Sequence, residues 1–279
     1  MAGTPAVPAG YARVGRKQNN PDPFIRKQER SSTLADRIFS VRTKPKYSYW
    51  FSSFSPHMKI LAVNASPRRK NSNTLQLVEA ALTGAAEAGA DTEYLDLCEY
   101  DIRYCTACAI CYKTGECPIK DDYAEILAKM EEADGLILGS PVYINAVTAQ
   151  LKTLLDRMAD VIHCQAFTGK YGIAVTTGGG GGTDEVISYL GTTLQVLGAT
   201  MCGGVAAVMA DGPERFEEQK TVAANAGKIL VQAIREKNRY PEQEVFHAQM
   251  QEHMTALVRA NPDTMQHEYE YLKNRGWLE

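Results

Sequence analysis

No apolar stretch of this 279-residue chain runs uninterrupted for the roughly 20 residues needed to span a bilayer. That excludes a membrane-crossing helix, and no membrane partner is expected. The opening residues, "MAGTPAVPAGYARVGRKQ", contain no apolar core followed by a cleavage site, so no secretory signal is read. Net charge is also scant. At -3 overall it gives no reason to expect nucleic acid as a partner. Two common nucleotide-binding loops are missing: no G-x-G-x-x-G follows the first strand-like run, and there is no Walker lysine pattern. Cysteine, by contrast, is plentiful. Seven thiols without a signal fit a reducing compartment, where they stay free or bind metal. The expected location is cytoplasmic.

The hydrophobic share of 44% is enough for one sizeable core, alone or with arms. Charge is spread unevenly. Of 30 basic and 33 acidic residues, ten and three fall in residues 1–57, leaving 20 and 30 for the rest. Residues 1–57 are rich in Pro, Ser, Arg and Lys and show no sustained period. They read as a disordered or peripheral extension, or as the product of a start set upstream of a natural Met58. Asp22, Glu29 and Asp36 count against a transit peptide.

From Met58 the pattern alternates. "KILAVNA", "DTEYLDL", "DGLILGSPVY", "YGIAVTTGG" and "TMCGGVAAV" read as strands. Between them lie amphipathic stretches such as "NTLQLVEAALTGAAEAGA", "YAEILAKMEEA", "AQLKTLLDRMADVI" and "EVISYLGTTLQVLGA". A long helix, "ERFEEQKTVAANAGKILVQAIREK", follows the last strand. Strand-length apolar runs alternating with helices indicate a parallel sheet covered on both faces. Five strands predict an α/β, flavodoxin-like doubly wound domain over residues 58–240. Residues 241–279 hold two helical pieces split at Asn261-Pro262 and no strand. They predict a C-terminal helical arm on this domain or on a neighbouring subunit.

In such a sheet ligands sit beyond the carboxyl ends of the strands, and three unusual loops fall there. "SPRRKNSNT", residues 66–74, offers hydroxyls from Ser66, Ser72 and Thr74, the amide of Asn73 and the charge of Arg68. The helix that follows adds free N–H groups and the positive end of its dipole. Together they make a phosphate cradle, although a helix cap in a solvated loop explains the same residues. After the third strand, Pro141 stiffens a loop, Tyr143 supplies an aromatic face and Asn145 an amide for a heterocycle. A strand-to-helix turn with a packed tyrosine is the plainer account there. The third loop, "TTGGGGG", residues 176–182, suits close approach of backbone to a flat ligand, or simple flexibility.

"CTACAICYKTGEC" places Cys105, Cys108, Cys111 and Cys117 within thirteen residues, at spacings of two, two and five. Thiolates bind soft metals and iron–sulfur clusters. Bacterial ferredoxins use a related run whose fourth cysteine serves a second cluster. Here Pro118 follows, no second run exists, and one [4Fe–4S] cluster held by all four is the natural inference. Zinc, which more often joins two C-x₂-C knuckles across a longer loop, and unmetallated thiols are the alternatives. Cys98, Cys164 and Cys202 sit among apolar residues and read as core. His163 reads as structural.

With these segments in place, the chain from Met58 to its end resembles the iron–sulfur flavoproteins, part of the wider flavodoxin-like FMN reductases. "NASPRRKNSNT", "SPVY", "LKTLLDR", "TTGGGGG", "CTACAICYKTGECPIKDD" and the tail "HEYEYLKNRGWLE" carry the resemblance in order. Ser72 stands where glycine is frequent. The resemblance implies FMN, with its phosphate on Ser66, Arg68, Ser72, Asn73 and Thr74 and its ring near Pro141, Val142, Tyr143, Thr177 and Gly178. It also implies a [4Fe–4S] cluster on the four cysteines. The assembly implied is a homodimer or homotetramer in which cluster and flavin meet across a subunit boundary. The function expected is electron transfer between cluster, FMN and an external redox partner such as ferredoxin or NAD(P)H. An NAD(P)H-dependent FMN, quinone or nitro-compound reductase without a cluster is one alternative, and a zinc-binding module without enzyme activity is another.

Overall fold

The computed structural model describes residues 58–278, so the expectations for residues 1–57 lie outside the described residues. Five strands form one sheet: β1 (Lys59–Asn64), β2 (Asp91–Asp96), β3 (Gly135–Pro141), β4 (Tyr171–Gly178) and β5 (Thr200–Val208). Their order is β2-β1-β3-β4-β5, and every neighbouring pair is parallel. Parallel neighbours need crossovers, and helices supply them. These are α1 (Asn73–Glu87), α2 (Ile110–Thr114), α3 (Tyr123–Glu132), α4 (Ala149–Asp156), α5 (Ala159–Cys164) and α6 (Thr183–Val196). Then come α7 (Pro213–Glu236), α8 (Pro241–Ala260) and α9 (Gln266–Asn274). The chain leaves β1 toward one side and returns to β3 on the other, so the strand order reverses between β1 and β3. This is the flavodoxin-like, doubly wound architecture.

The sheet separates two cores because successive side chains of a strand point to opposite faces. Ile60 and Ala62 pack with Leu77 and Val78 of α1 and Leu230 and Val231 of α7. Leu61 and Val63 join Ile126, Leu151, Leu154 and Leu190 on the other face. The crossing of α1 and α7 is close: a Cβ on Gly84 would fall 1.8 Å from the Ala224 carbonyl oxygen, and one on Gly227 1.9 Å from that of Ala81. On the β5 side, the Gln243 amide accepts from the Met201 N–H and donates to its carbonyl, both at 2.8 Å. It thereby occupies backbone groups that an edge strand otherwise leaves open.

One expected helix is two. "AQLKTLLDRMADVI" breaks after Asp156 and resumes at Ala159. The Arg157 carbonyl accepts a hydrogen bond from the Tyr123 hydroxyl at 2.8 Å, and the Arg157 side chain turns inward. The helix ladder yields to those contacts. Helix α2, inside the cysteine loop, was absent from the sequence reading. Helices α8 and α9 bring Val258, Met265, Leu272 and Leu278 into a small apolar cluster with Tyr112 of that loop.

Candidate functional site

The three strand-end loops meet at the carboxyl edge of the sheet. Register aligns their starting points: Asn64 lies opposite Gly139, and Pro141 opposite Thr177. The Thr74 hydroxyl contacts the Thr177 hydroxyl at 2.6 Å, joining the first loop to the third. The Val142 N–H donates to the Thr177 carbonyl at 2.8 Å, joining the second to the third. The Thr148 hydroxyl donates to the Ala65 carbonyl at 2.9 Å and closes the set. The resulting cavity, about 320 Å³, is lined by Ser66, Arg68, Ser72, Asn73, Thr74, Pro141, Val142, Tyr143, Thr177 and Gly178, together with Gly179 and Met209.

Within it, Ser66, Ser72 and Thr74 are buried and Arg68 is exposed. The Ser72 hydroxyl accepts the Leu75 N–H at 3.1 Å and so caps α1. Other N–H groups of the first turn have no intrahelical partner, and the helix dipole adds partial positive charge. Tyr143 and Ala146 close a tight turn whose corners, Ile144 and Asn145, have φ of 50° and 56°. A positive φ on a β-branched residue is strained. Ile144 is fully exposed there and Tyr143 about half exposed. Asn145 does not line the cavity; it lies beside Gly182.

The cysteine loop is a separate place. Cys105 and Cys108 are exposed, Cys111 and Cys117 half-buried, and all four thiols are free. Among the described residues these four do not form a group of ligand atoms within 4.8 Å of one another. Local geometry nevertheless suits thiolates. Ala107 and Ala109, between the first three cysteines, have φ of 51° and 56°. The Ala107 N–H donates to the Cys105 sulfur at 3.4 Å. The Ile110 N–H and then the Thr106 hydroxyl lower the Cys108 pKa. Burial, followed by the charges of Asp160, Cys117 and Glu268, pushes Cys111 up to about 11.

The far end of the loop rests on a buried ion pair. Arg157 reaches Asp121 with two nitrogens, at 2.8 and 3.3 Å, and both side chains are fully buried. Its guanidinium also donates to the Arg103 carbonyl at 2.8 Å and stacks 4.5 Å from the centre of the Tyr123 ring. Burial pushes the Asp121 carboxyl up, but Arg157 and the N–H groups of Arg103 and Tyr123 outweigh it and hold the pKa below its usual value. The Arg157 Nε has no hydrogen-bond partner among the described residues, and the Cys117 sulfur lies against the guanidinium. An anionic thiolate-held group there would give that orphan donor an acceptor, so these residues fit a cluster.

Under the loop, Asp160 and Cys164 of α5 face His267 of α9, with one ligand atom from each within 4.8 Å of the others. Gly115, at φ 74° between Cys111 and Cys117, lies against the His267 ring: a Cβ there would come within 2.5 Å of it. His163, which reads as structural in the sequence, pairs through Nδ1 with the Glu268 Oε1 at 2.7 Å. Glu268 is fully buried, and its Oε2 has no hydrogen-bond partner among the described residues. Burial first, then the opposing charges of His267 and Glu268, sets Asp160 at about 6. Cys164 is buried as expected, whereas Cys98 and Cys202 are only half-buried.

Sequence reasoning marked the glycine loop that holds Gly179 but missed Met209 at the cavity, the pairing of Arg157 with Asp121 under the loop, and the Asp160–Cys164–His267 group. Met209 was accessible to it, because it directly follows the fifth strand, where the strand-end rule applies. The rest had no local signal. Among the described residues, no helix is long and apolar enough to cross a membrane.

The sequence profile of the family described as NADPH-dependent FMN reductase matches residues 58–213. An iron–sulfur flavoprotein of Archaeoglobus fulgidus is 32% identical over 223 residues, which cover 79% of this chain and 100% of that protein. One of Methanocaldococcus jannaschii is 43% identical over 135 residues, 48% of this chain and 69% of the relative. Among solved structures, a flavone reductase aligns with a TM-score of 0.52 at 21% identity, over 64% of this chain and 63% of that one, a likeness of fold. Loops, sheet and relatives agree: the chain belongs to the NADPH-dependent FMN reductase family, among its iron–sulfur flavoproteins, and is a flavin-dependent oxidoreductase.

Proposed function

We propose that the chain binds FMN in the strand-end cavity and a [4Fe–4S] cluster on Cys105, Cys108, Cys111 and Cys117, and moves electrons between them and an external redox partner. The single observation that carries the FMN assignment is convergence. Loops separated by tens of residues bring ten of the eleven candidate side chains to one cavity. FMN, when bound, supplies the one- and two-electron chemistry. The chain's residues bind and orient. The first turn of α1 and Arg68 meet the phosphate. Pro141, Val142, Tyr143, Thr177 and Gly178 flank the ring; Asn145, turned beside Gly182, is not assigned a contact with it. The buried Thr74–Thr177 contact holds phosphate side and ring side at a set separation.

For the cluster, the loop's N–H groups and Arg157 support thiolate charge, and its exposure leaves the group accessible to a partner. Among the described residues, the strand-end cavity and the pocket beside Cys111 and Cys117 share no lining residue. That supports a homodimer or homotetramer in which the loop of one protomer meets the cavity of its partner, with exposed Tyr143 and Ile144 at the boundary. The external partner is NAD(P)H or an electron carrier of the ferredoxin kind. A second reading is a reductase of FMN, quinones or nitro compounds driven by NAD(P)H, without a cluster. The four ungathered thiols favour it. Residues 1–57 are proposed to be dispensable for both cofactors, residues 58–240 to form the flavin domain, and residues 241–279 its arm.

Anaerobic reconstitution with iron, sulfide and FMN tests both parts. The expected product holds one FMN and four irons per chain, with broad absorption near roughly 400 nm from the cluster. FMN without iron leaves the plain reductase, and NADPH turnover then measures it. Folded protein that takes up no FMN at micromolar concentration ends the flavin assignment.

A further inference from the structure

Asp160, Cys164 and His267 form a mixed donor set that the electron-transfer reading does not use. Asp160 and Cys164 stand four residues apart on α5, one turn of helix, and share a face. His267 comes from the first turn of α9, more than a hundred residues later. The His267 Nε2 lies 3.7 Å from one Asp160 oxygen, and the Cys164 sulfur 4.0 Å from the other. Zinc bonds of roughly 2.0 Å to nitrogen or oxygen and 2.3 Å to sulfur hold tetrahedral ligand atoms roughly 3.3–3.8 Å apart. The group is within a small side-chain adjustment of that spacing.

A second observation points the same way. Glu268, next to His267, is fully buried with an unpartnered Oε2, and its charge bears on both Asp160 and Cys164. A buried carboxylate oxygen without a donor is costly. Glu131 adds further negative charge to the group. Two histidines are the neighbouring groups that oppose it at Asp160. A dication would relieve this crowding of negative charge. Asp160 also lines a cavity of about 280 Å³ beside Cys111 and Cys117, which gives an ion a route in.

We propose that Asp160, Cys164 and His267 bind a divalent transition cation, zinc by the chemistry of the donors, with the fourth position left to water from the adjoining cavity. The ion ties α9 to α5. Because His267 lies against Gly115, it also sets the base on which the segment between Cys111 and Cys117 rests. The site is distinct from the cysteine quartet and stands whether or not the quartet holds a cluster.

The test uses the full-length chain with Cys105, Cys108 and Cys111 each changed to Ser, so that the quartet cannot compete. Metal-free protein is titrated with cobalt(II), followed by zinc. The expected result is one cobalt per chain, with the visible bands of a tetrahedral ion and a single thiolate-to-metal charge-transfer band, all displaced by zinc. Adding Cys164→Ser should abolish the charge-transfer band and weaken binding about 100-fold. His267→Gln should weaken binding and leave the charge-transfer band in place at saturating metal. Zinc should raise the melting temperature of the parent and not of the Cys164→Ser form. Should Cys164→Ser fail to fold, His267→Gln, at a half-exposed position, carries the comparison. No cobalt bound at micromolar concentration would leave only an Asp160–His267 contact and overturn the proposal. So would a charge-transfer band that survives Cys164→Ser.

Discussion

Ser66, Ser72 and Thr74 are each 1% exposed, whereas Cys105 and Cys108, also on a loop beyond a strand, are exposed. The two regions are held by different means. The strand-end cavity is a consequence of topology: parallel strands in register end together, and short loops continue from them. Its internal bonds are backbone and hydroxyl contacts between neighbouring strand ends. The cysteine loop lies outside the sheet and packs on its core through Ile102 and Cys117. It is fastened by a buried ion pair, by hydrogen bonds of Asp101 and Arg103 to Asp122, Asp121 and Lys120, and by the docking of α9. Damage to those fastenings should therefore spare the cavity, and damage to the cavity should spare the cysteines.

Arg157→Met should break the comparison most severely. It leaves Asp121 buried without its partner, which costs about 3–5 kcal/mol, measurable by denaturant unfolding. Iron uptake after reconstitution should fall, while FMN affinity of the folded fraction stays unchanged. Parallel loss of FMN would show that the two regions are one cooperative unit. The same pair predicts a pH dependence. The Asp121 pKa is depressed in the folded protein, so its stabilisation is complete above the ordinary carboxylate range. It is lost as pH falls through the depressed folded value. Acid unfolding of Asp121→Asn should lack that component.

Arg68→Ala acts on the other side. Loss of a charge-assisted phosphate contact should weaken FMN binding by about 2 kcal/mol, roughly 30-fold, with iron content unchanged. Titration of apo-protein with FMN measures it, and an unchanged affinity removes Arg68 from the site. Smaller still is Ser72→Ala. It removes the cap of α1, about 1 kcal/mol of stability, and should loosen FMN without touching iron. Gly115→Ala is its counterpart in the cysteine loop. The left-handed backbone and the His267 ring both oppose a side chain there, for about 1 kcal/mol of backbone strain. Iron retention should drop with FMN affinity intact. Equal loss of both cofactors in either variant would blur the distinction between the regions.

Much was legible in the sequence because its signals are local. Alternating strand and helix periods give five strands, their helices and hence the parallel sheet, since each pattern reports which face of its own segment is buried. Thiol spacing and hydroxyl-rich loops are local as well, so the cavity residues and the four cysteines were named in advance. The tertiary structure decided what depends on distance along the chain. Arg157 meets Asp121 across 36 residues, and that pairing splits an otherwise continuous helical pattern. His163 finds Glu268 across 105, and Asp160 and Cys164 acquire His267 from the arm. No periodicity encodes such meetings, because a buried charge takes whichever partner the fold delivers. Met209 reached the cavity in the same way, through the position of β5 in the sheet.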